Sequence, residues 1–303
     1  MLAPQGPEAQ RIFGLFWLLT MGAAAIVTLI VALLWAALSG SRLWRWLAGE
    51  TFVIAGGIVL PVTVLTVLLL LGFLLTRANS IAPADAKLDV SILGEQWWWR
   101  IGYVMAEGKR LETANELYIP VGVPVALELT SADVIHSFWV PKLAGKLDMI
   151  PGRKTLLHLQ ASSPGVSRGQ CAEYCGGPHA LMSIYVVALE QPAFKAWLLS
   201  QTAPALPPSN PTERRGRELF LAAGCAGCHT IRGIGAGGTI GPDLTHVASR
   251  RSLAAATLPN DASSFARWIV DNQHIKPENR MPPFRQFAKG ELTALSAYLA
   301  SLK

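Results

Sequence analysis

The 303-residue sequence predicts a multidomain membrane protein in which a transmembrane α-helical hairpin is followed by an all-β domain and then an all-α domain. Three observations carry this. Residues 12–38 and 51–76 form runs of 27 and 26 residues without a charge. Between residues 88 and 190, short β-branched and apolar stretches alternate with Gly/Pro turns. Beyond residue 211 the apolar positions recur at three and four, the spacing of a helix face. Hydrophobic residues make up 51% and charged residues 15% of the chain, against a usual charged share of about 25%. Intrinsic disorder is excluded, and so is a wholly soluble protein.

At about 1.5 Å per helical residue, each uncharged run spans a hydrocarbon core of roughly 30 Å. A signal peptide cleaved near Ser39-Gly40-Ser41 fits the first run less well, since a signal core has about 7–15 residues. The connecting loop holds Arg42 and Arg45 among Trp44 and Trp46. Positive residues in a short loop stay cytoplasmic and tryptophans favour the interface, so both termini are expected outside. Pro61 falls within the second run and is expected to kink it or to be accommodated by its neighbours. Everything past Arg77 then faces the periplasm of a bacterial inner membrane.

The outer part divides at QTAPALPPSNP, whose four prolines predict an extended linker over residues 201–211. The stretches LDVSIL, WWWRIGYV, VALELT, TLLHLQ and LMSIYVVALE before it read as strands of a sandwich or barrel. ERRGRELFLAAG, SSFARWIVDN and GELTALSAYLASL after it read as helices. The expected division is 1–80 for the N-terminal segment and hairpin, 81–200 for the β domain, 201–211 for the linker and 212–303 for the helical domain. The net charge of +6 does not indicate nucleic acid. Residues 210–303 hold twelve Lys/Arg against seven Asp/Glu and residues 1–209 fourteen against thirteen, with no basic run anywhere.

Cys225-Ala-Gly-Cys228-His229 is a C-x-x-C-H motif in an exported helical segment, the pattern of covalent c-type heme attachment. Two thiols one turn apart reach two vinyl groups on one porphyrin edge, and the adjacent imidazole turns onto the iron. A thioredoxin-like pair would need a βαβ setting and no histidine. Met281, within Arg280-Met-Pro-Pro-Phe, is the expected sixth ligand, since a His/Met pair raises the reduction potential. His246 and His274 are expected as surface histidines.

A second constellation is Cys171-Ala-Glu173-Tyr-Cys175-Gly-Gly-Pro-His179-Ala-Leu-Met182, joined by His136 from SADVIHSFWVP. Thiolate, imidazole and thioether together are soft donors suited to copper. One Cys, two His and a Met would make a mononuclear blue-copper site; the second Cys allows two thiolates to bridge two coppers. A Cys171–Cys175 disulfide and a structural zinc site are the alternatives, although Met is not a usual zinc ligand. His158 reads as a strand residue.

Taken with GEQWWWR at 94–100, SADVIHSF at 131–138, IPGR at 150–153, CAEYCGGPHALM at 171–182, CAGCH at 225–229 and RMPPF at 280–284, the chain resembles subunit II of a heme–copper cytochrome c oxidase fused to a cytochrome c domain, the caa type. The resemblance covers essentially the whole chain and implies a cupredoxin-like Greek-key barrel for the β domain. It further implies a binuclear CuA centre with Cys171 and Cys175 bridging, His136 and His179 terminal, Met182 weak and the Glu173 carbonyl completing the set. The Glu173 side chain would also reach a Mg²⁺ at the boundary with subunit I. Trp97 matches the aromatic through which electrons reach the copper, and Trp98 stands where many relatives have tyrosine.

The function so implied is to accept electrons at heme c, pass them to CuA and deliver them to subunit I, where O₂ is reduced to water and protons are pumped. Expected partners are subunit I, subunit III, the lipid bilayer and an external donor such as a cytochrome c or a quinol–cytochrome c reductase. A linker of about eleven residues would hold the donor at millimolar effective concentration, so that docking itself needs little affinity. A CuA-containing nitric oxide reductase subunit, or a membrane-tethered copper or electron carrier with no oxidase partner, would carry the same motifs.

Overall fold

The computed structural model describes residues 3–40, 48–80, 88–105, 108 and 110–303. The chain divides into two compact units, Glu8–Pro83 and a larger one that joins Ala84–Lys303 with Ala3–Pro7. Arg42, Trp44, Arg45 and Trp46, on which the cytoplasmic loop rests, lie outside the described residues, as does Ser41.

In the first unit, α1 (Pro7–Leu38) and the stretch Glu50–Arg77 are long and apolar enough to cross a membrane, with mean hydropathies of 2.4 and 2.8 in their most apolar windows. Side chains such as Trp35, Leu69 and Phe73 are exposed along them, as lipid-facing surfaces require. Hydroxyls within the spans donate inside their own helix: Thr20 to the Phe16 carbonyl, Thr28 to Ala24, Thr66 to Val62. A polar group that water cannot reach is thereby satisfied. The second span is α2 (Glu50–Ile54), a π-helical turn (Ala55–Val59) and α3 (Leu60–Ser80). Pro61 has no N–H for the turn before it. The π turn accommodates that loss, with the Leu60 N–H reaching back five residues to the Ala55 carbonyl.

The β domain is two five-stranded sheets. One has the order β3-β2-β1-β5-β8, built from Arg110–Ala114, Trp98–Val104, Leu88–Glu95, Val125–Ser131 and Thr155–Leu159. The other has the order β4-β10-β9-β6-β7, built from Glu116–Pro120, Ser183–Leu189, Gly165–Cys171, His136–Trp139 and Lys146–Met149. The β1–β5 and β4–β10 pairs are parallel, the crossovers that make the sandwich cupredoxin-like rather than a meander. Alternation along β2 buries Trp99, Ile101 and Tyr103 between the sheets. The Tyr103 hydroxyl donates to the Tyr118 carbonyl at 3.0 Å and accepts from its N–H at 2.7 Å, tying one sheet to the other. Trp97, expected within the strand, precedes it. His158 is a strand residue, as expected. Gln5 of the N-terminal segment is built into this domain: its N–H donates to the Lys142 carbonyl, and its own carbonyl accepts from Ser162 N–H, both at 2.7 Å.

After α4 (Gln191–Thr202) the chain is extended through residues 203–210 and enters α5 (Pro211–Ala222). The expected extended stretch is therefore shorter, because Gln201 and Thr202 finish one helix and Pro211 occupies the first turn of the next. It is also held down. Ala205 N–H donates to the Arg232 carbonyl at 2.9 Å, and His246 bridges the Ala203 and Lys303 carbonyls, each at 3.0 Å. His246 is thus buried, contrary to the expected surface position, because it ties the connecting strand to the chain end; His274 is exposed.

The helical domain adds α6 (Ala262–Ile275) and α7 (Lys289–Ser301). Asn210 and Asp261 cap α5 and α6 by accepting from Glu213 N–H and Ser264 N–H at 2.9 and 2.7 Å. Helices α5 and α7 cross at Gly216, where a Cβ would lie 2.1 Å from the Ala294 carbonyl oxygen and 2.6 Å from the Tyr298 Cβ. Both obstacles belong to the helix body and cannot swing away. Gly216→Ala should destabilise the helical domain by about 1–3 kcal/mol, measured as a lowered unfolding midpoint; an unchanged midpoint would mean the crossing tolerates a wider separation.

Candidate metal and heme sites

The copper-type donors converge where β9 ends, β6 begins and the loop 172–182 folds back. Cys171 closes β9, His136 opens β6, and His179 sits in a 3₁₀ turn, Gly177–Leu181. Cys171 Sγ lies 3.8 Å from His136 Nδ1 and 3.2 Å from the Glu173 carbonyl oxygen. Cys175 Sγ lies 3.4 Å from His179 Nδ1 and 3.9 Å from Met182 Sδ. All four cysteines are free thiols, so the disulfide alternative for Cys171 and Cys175 is set aside. His136, Cys171, Cys175 and Met182 are almost wholly buried. Two sulfurs, two imidazoles, a thioether and a carbonyl gathered away from water fit soft copper and leave hard cations poorly served.

Electrostatics sharpen the pairing. The Cys175 thiol hydrogen-bonds Cys171 and pulls its pKa well down, with further help from His136 and backbone donors. The same contact, together with burial, pushes Cys175 up, because a second thiolate would face the first. Burial draws His136 down, but its bonds to Cys171 and Asp133 outweigh that and leave it raised. Asp133 Oδ1 lies 2.8 Å from His136 Nε2 and its Oδ2 accepts from Gln96 N–H. The carboxylate thus holds the imidazole with Nδ1 toward the sulfur. Gly94 makes room, since a Cβ there would meet the His136 ring at 2.8 Å.

In the helical domain, Cys225, Cys228, His229 and Met281 line one cavity of about 350 Å³, walled by apolar side chains such as Phe220, Phe265 and Leu295. His229 Nδ1 lies 2.8 Å from the Pro242 carbonyl, which leaves Nε2 as the coordinating nitrogen. Burial pushes the His229 pKa down, keeping the ring neutral and ligand-ready. The cavity is apolar and carries two thiols, an imidazole and a thioether, so it fits heme c.

Trp97 also lines this cavity and is only 4% exposed. Its indole Nε1–H donates to the Cys175 carbonyl at 2.8 Å, alongside Gln96 Nε2–H at 2.9 Å. Lys276, from the end of α6, donates to the Trp97 carbonyl at 2.7 Å and to the Ala254 carbonyl at 3.0 Å. Burial pushes Lys276 down to about 7, opposed by negative charge at Cys175. Elsewhere on this face Arg251 N–H donates to the buried Glu116 carboxylate, and Arg100 Nη2 donates to the Thr239 carbonyl at 2.8 Å. Docking between the domains is therefore built from specific contacts, buried at Lys276 and Trp97 and exposed at Arg100 and Thr239, where the sequence suggested reliance on the tether. Asp133 was legible in SADVIH as a carboxylate three residues before the ligand. Lys276 left no local signal, because its partners lie 179 and 22 residues away.

The chain matches the family models for cytochrome C oxidase subunit II, periplasmic domain, over residues 104–189 and for cytochrome c over residues 213–303. It is 33% identical to cytochrome c oxidase subunit 2 of Alkalihalophilus pseudofirmus, covering 100% of this chain and 90% of that one. It is 28% identical to the Bacillus subtilis protein of that name, over 84% and 76% of the two chains. The crystal structure of the periplasmic domain of subunit II of cytochrome oxidase from Bradyrhizobium japonicum is similar at 30% identity and TM-score 0.38, covering 40% of this chain and 97% of that one. With likeness running the full length and a helical heme-type domain following the two-sheet copper-type domain, the chain belongs to the cytochrome c oxidase subunit II family, in its caa-type form fused to cytochrome c.

Proposed function

We propose that this subunit takes up electrons at heme c in its helical domain, relays them past Trp97 to a binuclear CuA centre, and delivers them to subunit I, which reduces O₂ and pumps protons. When bound, heme iron and the copper pair supply one-electron chemistry; the chain supplies position and surroundings. Cys225 and Cys228 would anchor the porphyrin, and His229 and Met281 would hold its iron. Cys171, Cys175, His136 and His179 would hold the copper pair, with Met182 and the Glu173 carbonyl as weaker donors. The Glu173 carboxylate is left for Mg²⁺ at the boundary with subunit I. The copper domain then corresponds to residues 81–200 and the heme domain to 212–303, both on the outer face of the bacterial inner membrane, with subunit III and an external cytochrome c or quinol–cytochrome c reductase as further partners.

The observation that supports this reading best is that Trp97 lines the cavity with the heme-type ligands while its indole N–H bonds the Cys175 carbonyl. Donors held rigidly by strands and short turns keep their positions between redox states, which lowers the reorganisation that each transfer requires. Apolar walls around the heme cavity exclude water and favour a high reduction potential, as does a thioether ligand.

Metal and heme analysis of the purified chain should give two coppers and one covalent heme, with a paramagnetic resonance signal from one electron shared by both coppers. A single bound metal, or a cystine at 171 and 175, would overturn the assignment. Met281→Ala should abolish the sulfur-to-iron absorption band; a retained band would give the sixth position to another residue. Because the junction is buried, stopped-flow transfer from heme to copper should change little with added salt, and a steep fall would show that the domains part between turnovers.

A further inference from the structure

We infer that Lys276 is a positioning residue for electron transfer, latching the heme-bearing domain onto the copper loop by clamping the Trp97 and Ala254 carbonyls together. The inference rests on the function proposed above and adds a residue outside both ligand sets.

A lysine just past a helix usually reaches back to the last carbonyls of its own helix. The Lys276 ammonium does otherwise. It is 2% exposed and donates to the Trp97 carbonyl in the β domain at 2.7 Å and to Ala254 in its own domain at 3.0 Å. Burying an ammonium costs several kcal/mol unless charge and hydrogen bonds compensate. Here the compensation comes from one carbonyl across the junction, that of Trp97, and one in its own domain, that of Ala254. The cation therefore favours the docked arrangement over one in which the two domains separate.

The turn it grips points the same way. Ala254, Ala255 and Ala256 have φ of 52°, 59° and 62°, three successive left-handed residues none of which is glycine. Each is a strained conformation for a residue with a Cβ, so such a turn persists only where its surroundings over-determine it. Its carbonyls are engaged: Ala254 accepts from Lys276 Nζ and from Thr257 Oγ1, and Ala255 accepts from Ser183 N–H at 3.3 Å. Ser183 directly follows Met182 of the copper loop. The latch thus touches the residue next to Met182, at Ser183, and reaches the copper loop itself, through Trp97, at the Cys175 carbonyl. One electron moves across this junction, and no bond forms or breaks.

The test uses the intact oxidase carrying Lys276→Met, which keeps the stem and removes the donors. Tunnelling falls off exponentially with distance, so loosening the contact should slow heme-to-copper transfer several-fold. The copper and heme contents and both ligand-field spectra should stay as in the parent. A merely structural lysine would lower the unfolding temperature and leave the internal rate of the loaded protein within two-fold, which would overturn the inference. Should Lys276→Met fail to assemble, hydrogen exchange in the unsubstituted oxidase decides. The Ser183 amide should exchange slowly in a latched molecule, and exchange at the rate of an open amide would overturn the latch. Absence of copper or heme from the parent would instead refute the proposed function.

Discussion

Two buried thiols side by side cannot both ionise without a cation between them, and the outer half of this molecule is arranged around that constraint. Cys171 gives up its proton readily because Cys175 keeps one. Removing the second proton without compensation would put two negative sulfurs face to face in a poorly solvated site. Copper bound there, as proposed, would resolve the conflict, and the surrounding donors are placed for it. His136 and His179 present nitrogen to one sulfur each, Met182 and the Glu173 carbonyl add neutral donors, and Asp133 holds His136 in place.

From that loop the two soluble domains become one body. The Cys175 carbonyl accepts from Trp97 and Gln96, the Trp97 carbonyl accepts from Lys276, and Trp97 itself forms part of the heme cavity wall. Glu116, buried on the β domain, meets the Arg251 backbone on the helical domain. An open encounter surface would display such groups to water, whereas here they are covered by a second domain of the same chain.

Legibility differed by kind of feature. The membrane spans, the C-x-x-C-H motif and the Cys171–Met182 loop could be read directly because each is contiguous, and a run of 26 apolar residues or a fixed thiol spacing has few physical uses. Five strands were recognisable from alternation. β3, β4, β6, β7 and β9 were not singled out; β6 and β7 are four residues each, too short for a period to declare itself. His246 misled because its carbonyl partners, Ala203 and Lys303, are distant along the chain. The proline-rich stretch was extended as its composition requires, but nothing local revealed that Arg232 and His246 would pin it.

What the sequence determined by itself was chemistry that depends on neighbours: which residues can anchor a porphyrin, which donors suit copper, and which segments lipid will accept. Only the tertiary structure decided how those sites face each other. The hydrogen bond from Lys276 to Trp97 joins residues 179 positions apart, and the left-handed turn at Ala254–Ala256 is held by contacts made only in the folded chain. Covalent spacing constrains groups within a few residues; beyond that range, position is set by which surfaces can be buried together with their charges and hydrogen bonds satisfied.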